Sequence, residues 1–102
     1  MKMMTFTMFD VDKSAEVAKA GDKIPDIPGI KVLAMYACQG IPFPPAVTPH
    51  SMVVISIQEV ESNEAMSTAN YPVSLAGATT WNVPVLEMPV GGAADVEKKY
   101  RG

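Results

Sequence analysis

From residue 3 to residue 9 the chain alternates, with apolar Met4, Phe6 and Met8 separated by Thr5 and Thr7. A repeat of two predicts a strand with one wet or half-wet face. Asp10 and Asp12 then offer caps for a helix over KSAEVAKA. Val11, Ala15 and Ala18 fall on one face of it, and Lys13, Glu16 and Lys19 point elsewhere. Gly21 is the natural stop, and Pro25 closes off any continuation.

After a connector at residues 22–29, the run IKVLAMYAC at residues 30–38 is apolar on both faces except at Lys31. Such a run suits a strand covered on both sides. Residues 39–50 hold Pro42, Pro44, Pro45 and Pro49, too stiff for a floppy linker and too long for a tight hairpin. Residues 51–60, SMVVISIQEV, read as the clearest strand. Val53, Ile55 and Ile57 form one face; Ser56 and Gln58, flanked by Met52, Val54 and Val60, form the other.

Ser62 or Asn63 caps a second helix, with Glu64 favourable in its first turn. Ala65, Met66, Ala69, Val73 and Ala76 keep helical spacing, Pro72 should kink or divide the helix, and Gly77 ends it. Residues 79–90 predict a last strand, whose Pro84 and Pro89 favour an edge position. Gly91 and Gly92 break it, leaving residues 91–102 as a short polar helix or tail. The order is strand-helix-strand twice over. Two such right-handed units interleave as a four-stranded antiparallel sheet with both helices on one face, a ferredoxin-like α+β plait.

The 102 residues fit one domain spanning 1–102. Hydrophobic content of 48% with 19% charged residues excludes a disordered chain. A net charge of -3 argues against nucleic acid, which rewards a basic face. Lys98, Lys99 and Arg101 cluster near the end, but Asp95 and Glu97 dilute them into a solvated helix face. The lone Cys38 cannot form an internal disulfide, and no apolar run approaches the ~18–20 residues of a spanning helix. A cytoplasmic protein without membrane contact is the expectation.

The stand-alone plait, with its long loop between strands two and three, resembles the dimeric α+β-barrel superfamily. The stretch EAMSTANYPVSLAGATTWNVPVLEM sharpens the likeness to a small uncharacterised bacterial and archaeal family within it, in which a strand reading V-x-P-V-L recurs; Val83, Pro84, Val85 and Leu86 partly fit. The resemblance covers roughly residues 3–90. It implies sheets paired face to face in a homodimer, with a small organic molecule bound inside. Relatives in that superfamily include cofactor-independent mono-oxygenases, haem-degrading enzymes and lactone isomerases. The haem-degrading site is not carried over, because Trp81 and Asn82 are neighbours facing opposite sides of a strand. The residues point the same way on dimerisation. Helices cover one face of a plait, and Val32, Tyr36, Met52 and Val54 are the apolar residues available for the other, where a partner would bury them.

His50, the one histidine, has the chemistry of a general base or a haem ligand, but its place after a proline-rich loop favours an ordinary loop residue. Cys38 has no basic neighbour in sequence and reads as an inert thiol. One Cys and one His with no carboxylate pair predict no metal site, and no cofactor motif is present. Pro42 to Pro45 has the PxxP spacing an SH3-type groove reads, but a rigid loop packing Ile41, Phe43 and Val47 explains it better. The remaining ligand-cavity candidates are Tyr36, Ser56, Gln58 and Trp81, placed on the helix-free face, and His50 at the mouth of strand three. That placement depends on strand phase, since a slip of one residue reverses it. The leading reading is a homodimer binding a small, largely apolar molecule between paired sheets. The alternatives are a cofactor-independent mono-oxygenase or isomerase using Tyr36 and His50 for proton handling, and a structural or regulatory assembly module.

Overall fold

The computed structural model describes residues 1–43 and 50–102. Its elements run β1 (Lys2–Phe9), α1 (Ser14–Gly21), β2 (Ile30–Ala37), β3 (Met52–Val60), α2 (Asn63–Leu75), β4 (Thr79–Pro84) and α3 (Ala93–Arg101). Short 3-10 turns at Val11–Lys13 and Ile24–Asp26 flank α1. The four strands form one sheet in the order β2-β3-β1-β4, antiparallel throughout. This is the plait expected from the element order. Residues 44–49, and with them the PxxP reading, lie outside the described residues.

Local chemistry explains most of the boundaries. Ser62 caps α2, its Oγ accepting from the Ala65 amide at 3.1 Å. Ser62→Ala should therefore cost about 1 kcal/mol of stability in urea unfolding; no loss would show that the cap contributes nothing. Pro72 does not divide α2, which runs unbroken to Leu75. It sits in the last turn, exposed, so only the Thr68 carbonyl loses its amide partner, while the Ala76 amide still reaches the Pro72 carbonyl at 3.1 Å. The last strand is shorter than the expected 79–90. It stops at Pro84, and the Val85 amide makes one more ladder bond, to Lys2 at 3.0 Å, where β1 begins and the pairing runs out. In α1 the side chain that meets the core is Val17, whereas Val11, Ala15 and Ala18 are exposed, because Val11 is taken up by the preceding 3-10 turn.

The core between sheet and helices falls into two clusters. Met3, Ile30, Val60, Ala65, Met66 and Ala69 fill one end. Phe9, Val17, Val73 and Ala78 fill the other, and Ile24 packs against both. At the first cluster β2 enters close under α2. Gly29 has φ +86°, and a Cβ there would lie 3.1 Å from that of Ala65, so both the conformation and the space require glycine.

Residues paired across antiparallel strands share a face, so the register assigns the opposite, helix-free face. Tyr36, Ile55, Phe6 and Trp81 form one row across all four strands, and Ala34, Ile57, Met4 and Val83 form the next. Lys31, Glu59 and Lys2 follow as a charged border. Phe43 reaches back onto this face, its ring centroid 5.3 Å from Phe6 and 6.0 Å from Trp81. Tyr36 remains 61% exposed and Trp81 47%.

This corrects the expected composition of that face. Val32, Met52 and Val54 lie toward the helices, and Val53, Ile55 and Ile57 lie away from them. Within β2 the phase reverses at an irregularity between Val32 and Ala34, which leaves Val32 under the helices and Tyr36 on the open side. Beyond β4 the chain runs out through exposed Leu86, Met88 and Val90 to α3, which buries no residue. The radius of gyration, 15.4 Å, accordingly exceeds the roughly 13 Å of a compact chain this long. Among the described residues no helix is long and apolar enough to cross a membrane.

Candidate functional site

The seam between the two core clusters is a cavity of about 210 Å³, partly open to solvent, with the sheet below and α1, α2 and the Ile24–Asp26 turn above. It exists because small side chains meet there. Ala18 and Gly21 of α1, Ala69 of α2, and Thr5, Thr7 and Ser56 of the central strands all line it. Large side chains are confined to the two ends, and α1, only eight residues long, does not reach across both. Val17, Ile24, Val32, Val54 and Val73 give the cavity mostly apolar walls.

Its floor is polar. Thr5 of β1 lies between Ser56 of β3 and Asn82 of β4 in register, and Gln58 follows Ser56 two residues on, on the same face. Thr5, Ser56 and Gln58 are buried, Gln58 to 3% exposure. The Thr5 hydroxyl donates to Asn82 Oδ1 at 2.8 Å, and Gln58 Nε2 donates to Ser56 Oγ at 2.9 Å. Gln58 Oε1 is buried with no hydrogen-bond partner among the described residues. An orphaned buried carbonyl of this kind costs about 1–3 kcal/mol, and native cores hold few of them. The one ionisable residue among those lining the cavity is Asp22, which is exposed. The site therefore offers a largely apolar, partly open cavity with a few buried neutral polar side chains of the central strands in its lining.

Of the residues singled out in the sequence, Ser56 and Gln58 belong to this cavity, but on the helix-covered side and not on the open face where they were expected. Tyr36 and Trp81 lie on the open face, in one row but on opposite edge strands. His50 joins neither group. Its Nε2 is 3.0 Å from Thr79 Oγ1 and its Nδ1 is 3.4 Å from Asp10 Oδ1, at the β4 edge. Tyr36 is on the far edge, roughly 14 Å away across three strand spacings. One chain thus does not bring Tyr36 and His50 together for shared proton transfer. Among the described residues no three His, Cys, Asp or Glu side chains gather as a metal site.

Thr5, Thr7 and Asn70 line the cavity and were missed. A signal was present: pairing the first and third strands antiparallel sets Thr5 opposite Ser56, so two polar positions coincide in mid-sheet.

No protein-family model matches the chain. No curated protein matches it in sequence. Solved structures do share its fold. One is a dimeric ferredoxin-like protein of unknown function from Jannaschia sp. CCS1, with a TM-score of 0.50, 12% identity, and coverage of 83% of this chain and 100% of that one. Another is a dimeric ferredoxin-like protein of unknown function from Thermobifida fusca YX, with a TM-score of 0.46, 16% identity, and coverage of 83% of this chain and 92% of that one. With the strand order and the helix placement, the likeness establishes that this chain has a ferredoxin-like α+β fold.

Proposed function

We propose that the protein is a homodimer that binds a small, largely apolar organic molecule in the cavity between its sheet and helices. The observation that carries the ligand reading is a largely apolar cavity of about 210 Å³ between sheet and helices, with the buried polar side chains Thr5, Ser56 and Gln58 in its lining. An engineered apolar cavity of about 150 Å³ holds a benzene molecule, so this one has room for a substituted ring or a short branched chain. Polar groups are few and convergent while the walls are apolar, the usual make-up of a small-molecule site.

The dimer is supported by the helix-free face. Two rows of apolar side chains cross it, and a second copy presents the same self-complementary surface about a two-fold axis. The similar structure from Jannaschia sp. CCS1 is described as dimeric, which favours the same assembly. Nothing in the site favours a particular reaction, so binding rather than catalysis is the reading proposed.

Native mass spectrometry of the freshly purified protein, repeated with small aromatic compounds added, tests both parts. A dimer that carries or takes up one small molecule per chain is the expected result. A monomer overturns the assembly, and a dimer that accepts no compound overturns the ligand reading.

A further inference from the structure

We infer that the arm beyond β4, from Leu86 to the end of α3, docks on the β2 edge of a second copy; this rests on the homodimer proposed above. Leu86, Met88 and Val90 alternate with Glu87 and Pro89, the pattern of a strand with one apolar side. All three are exposed, and past the Val85 amide the arm joins no ladder among the described residues. The arm is nonetheless shaped. Gly91 at φ +80° and the Gly92 amide, 3.2 Å from the Pro89 carbonyl, make a tight turn that leads into α3. α3 has nine residues, fewer than the ~12–15 at which an isolated helix becomes even marginal in water. Helices this short are held by the packing of an apolar face, and α3 carries Val96 and an exposed Tyr100 one turn apart. A turn and a helix built around side chains that their own chain leaves exposed call for a partner.

The second copy offers the matching surface. β2 is an outer strand with a single charge, Lys31, and no proline, so its edge lacks the usual guards against pairing. Leu33, Met35 and Tyr36 are exposed along it. A one-sided apolar segment laid on such an edge adds a strand to the sheet, and Pro89 suits the outermost place it would take. One copy cannot make this contact itself. Val85 is bonded to Lys2, and Glu87 pairs with Lys2 at 3.1 Å, so Met88 to Val90 adds at most about 10 Å of reach. That is short of the roughly 14 Å between β4 and β2. The helix-free face also needs the addition. Its four strands, about 4.8 Å apart, and two apolar rows, each about 6.8 Å deep, give roughly 270 Å² in plan. A stable dimer takes about 800 Å² from each partner. Tyr36 belongs to both surfaces, so the docked arm extends that face instead of forming a separate contact.

Mixed dimers test the docking. One sample carries a spin label on Cys38, the single cysteine, which follows β2 directly. The other is isotope-enriched and unlabelled, so that only amides of the partner of a labelled subunit are broadened. Broadening is expected at Leu86, Met88 and Val90. Should Cys38 resist labelling, Gln39→Cys in a Cys38→Ser background supplies the probe. Replacing Leu86, Met88 and Val90 together by serine in the full chain should weaken the dimer constant about ten-fold or more, since the three apolar side chains lose their burial. These residues are exposed in one copy, so the fold should persist. Broadening that spares the arm, or an unchanged constant in the triple variant, overturns the docking while leaving the dimer. A parent protein that sediments as a monomer removes the dimer and this inference together.

Discussion

Replacing Ile55 with lysine should turn the proposed dimer into a monomer that remains folded. Ile55 sits on a central strand of the helix-free face, paired in register with Tyr36 on one side and Phe6 on the other. In a two-fold interface each substitution acts twice. Losing a buried isoleucine costs about 1.5–3 kcal/mol per subunit, and two lysines facing a dry interface add desolvation and mutual repulsion. The dimer constant should weaken by at least a hundred-fold, on the order of 3 kcal/mol. Folding should survive, because in a single chain Ile55 is only half-buried and a lysine can extend its ammonium to water. Analytical ultracentrifugation across a concentration series reads the result directly. Leu75→Lys is the control: it is 74% exposed, at the end of α2 on the other side of the sheet, and should leave the dimer intact. If Ile55→Lys dimerises as tightly as the parent protein, the helix-free face is not the interface.

The second large effect concerns folding. Phe9 ends β1 on the helix side and is the largest side chain of the cluster it forms with Val17, Val73 and Ala78. That cluster alone ties α1, α2 and the entrance to β4 to the sheet at this end. Phe9→Ala should cost about 3–5 kcal/mol, a large share of the roughly 5–15 kcal/mol available to a domain. Phe9 also lines the cavity, so the truncation would merge two voids that the neighbours cannot both collapse into. A fall in Tm of about 15 °C or more follows for a domain of this size. Urea unfolding with an unchanged slope would attribute the loss to the native core. A change under about 1 kcal/mol would mean that the cluster is not packed as described.

Several parts of this architecture were readable in the chain. Alternation over Met4 to Met8 and over Val53 to Gln58, and helical spacing from Ala65 to Val73, located the elements and their order. The order restricted the topology, because long crossovers are right-handed and two interleaved units allow few arrangements. The Ser62 cap was legible because capping is a contact between residues three apart.

Facing was harder to read. β3 is apolar on both sides, and Ser56 with Gln58 make one of them look suited to the open face; the structure instead buries both under the helices. Alternation separates two faces without saying which will be covered. The irregularity between Val32 and Ala34 left no trace in IKVLAMYAC, since Val32, Leu33 and Ala34 are all apolar. The end of β4 depended on where its neighbour β1 begins, a fact of pairing and not of local propensity.

The sequence by itself therefore determined the elements, their connection and the ferredoxin-like plait, because each rests on local periodicity, capping and the handedness of crossovers. Only the packing of the chain placed the more polar side of β3 under the helices, left a cavity there among small residues from four elements, and buried Gln58 in its lining. Those features depend on register and on side chains distant in sequence meeting in space, where a shift of one residue would reverse every assignment.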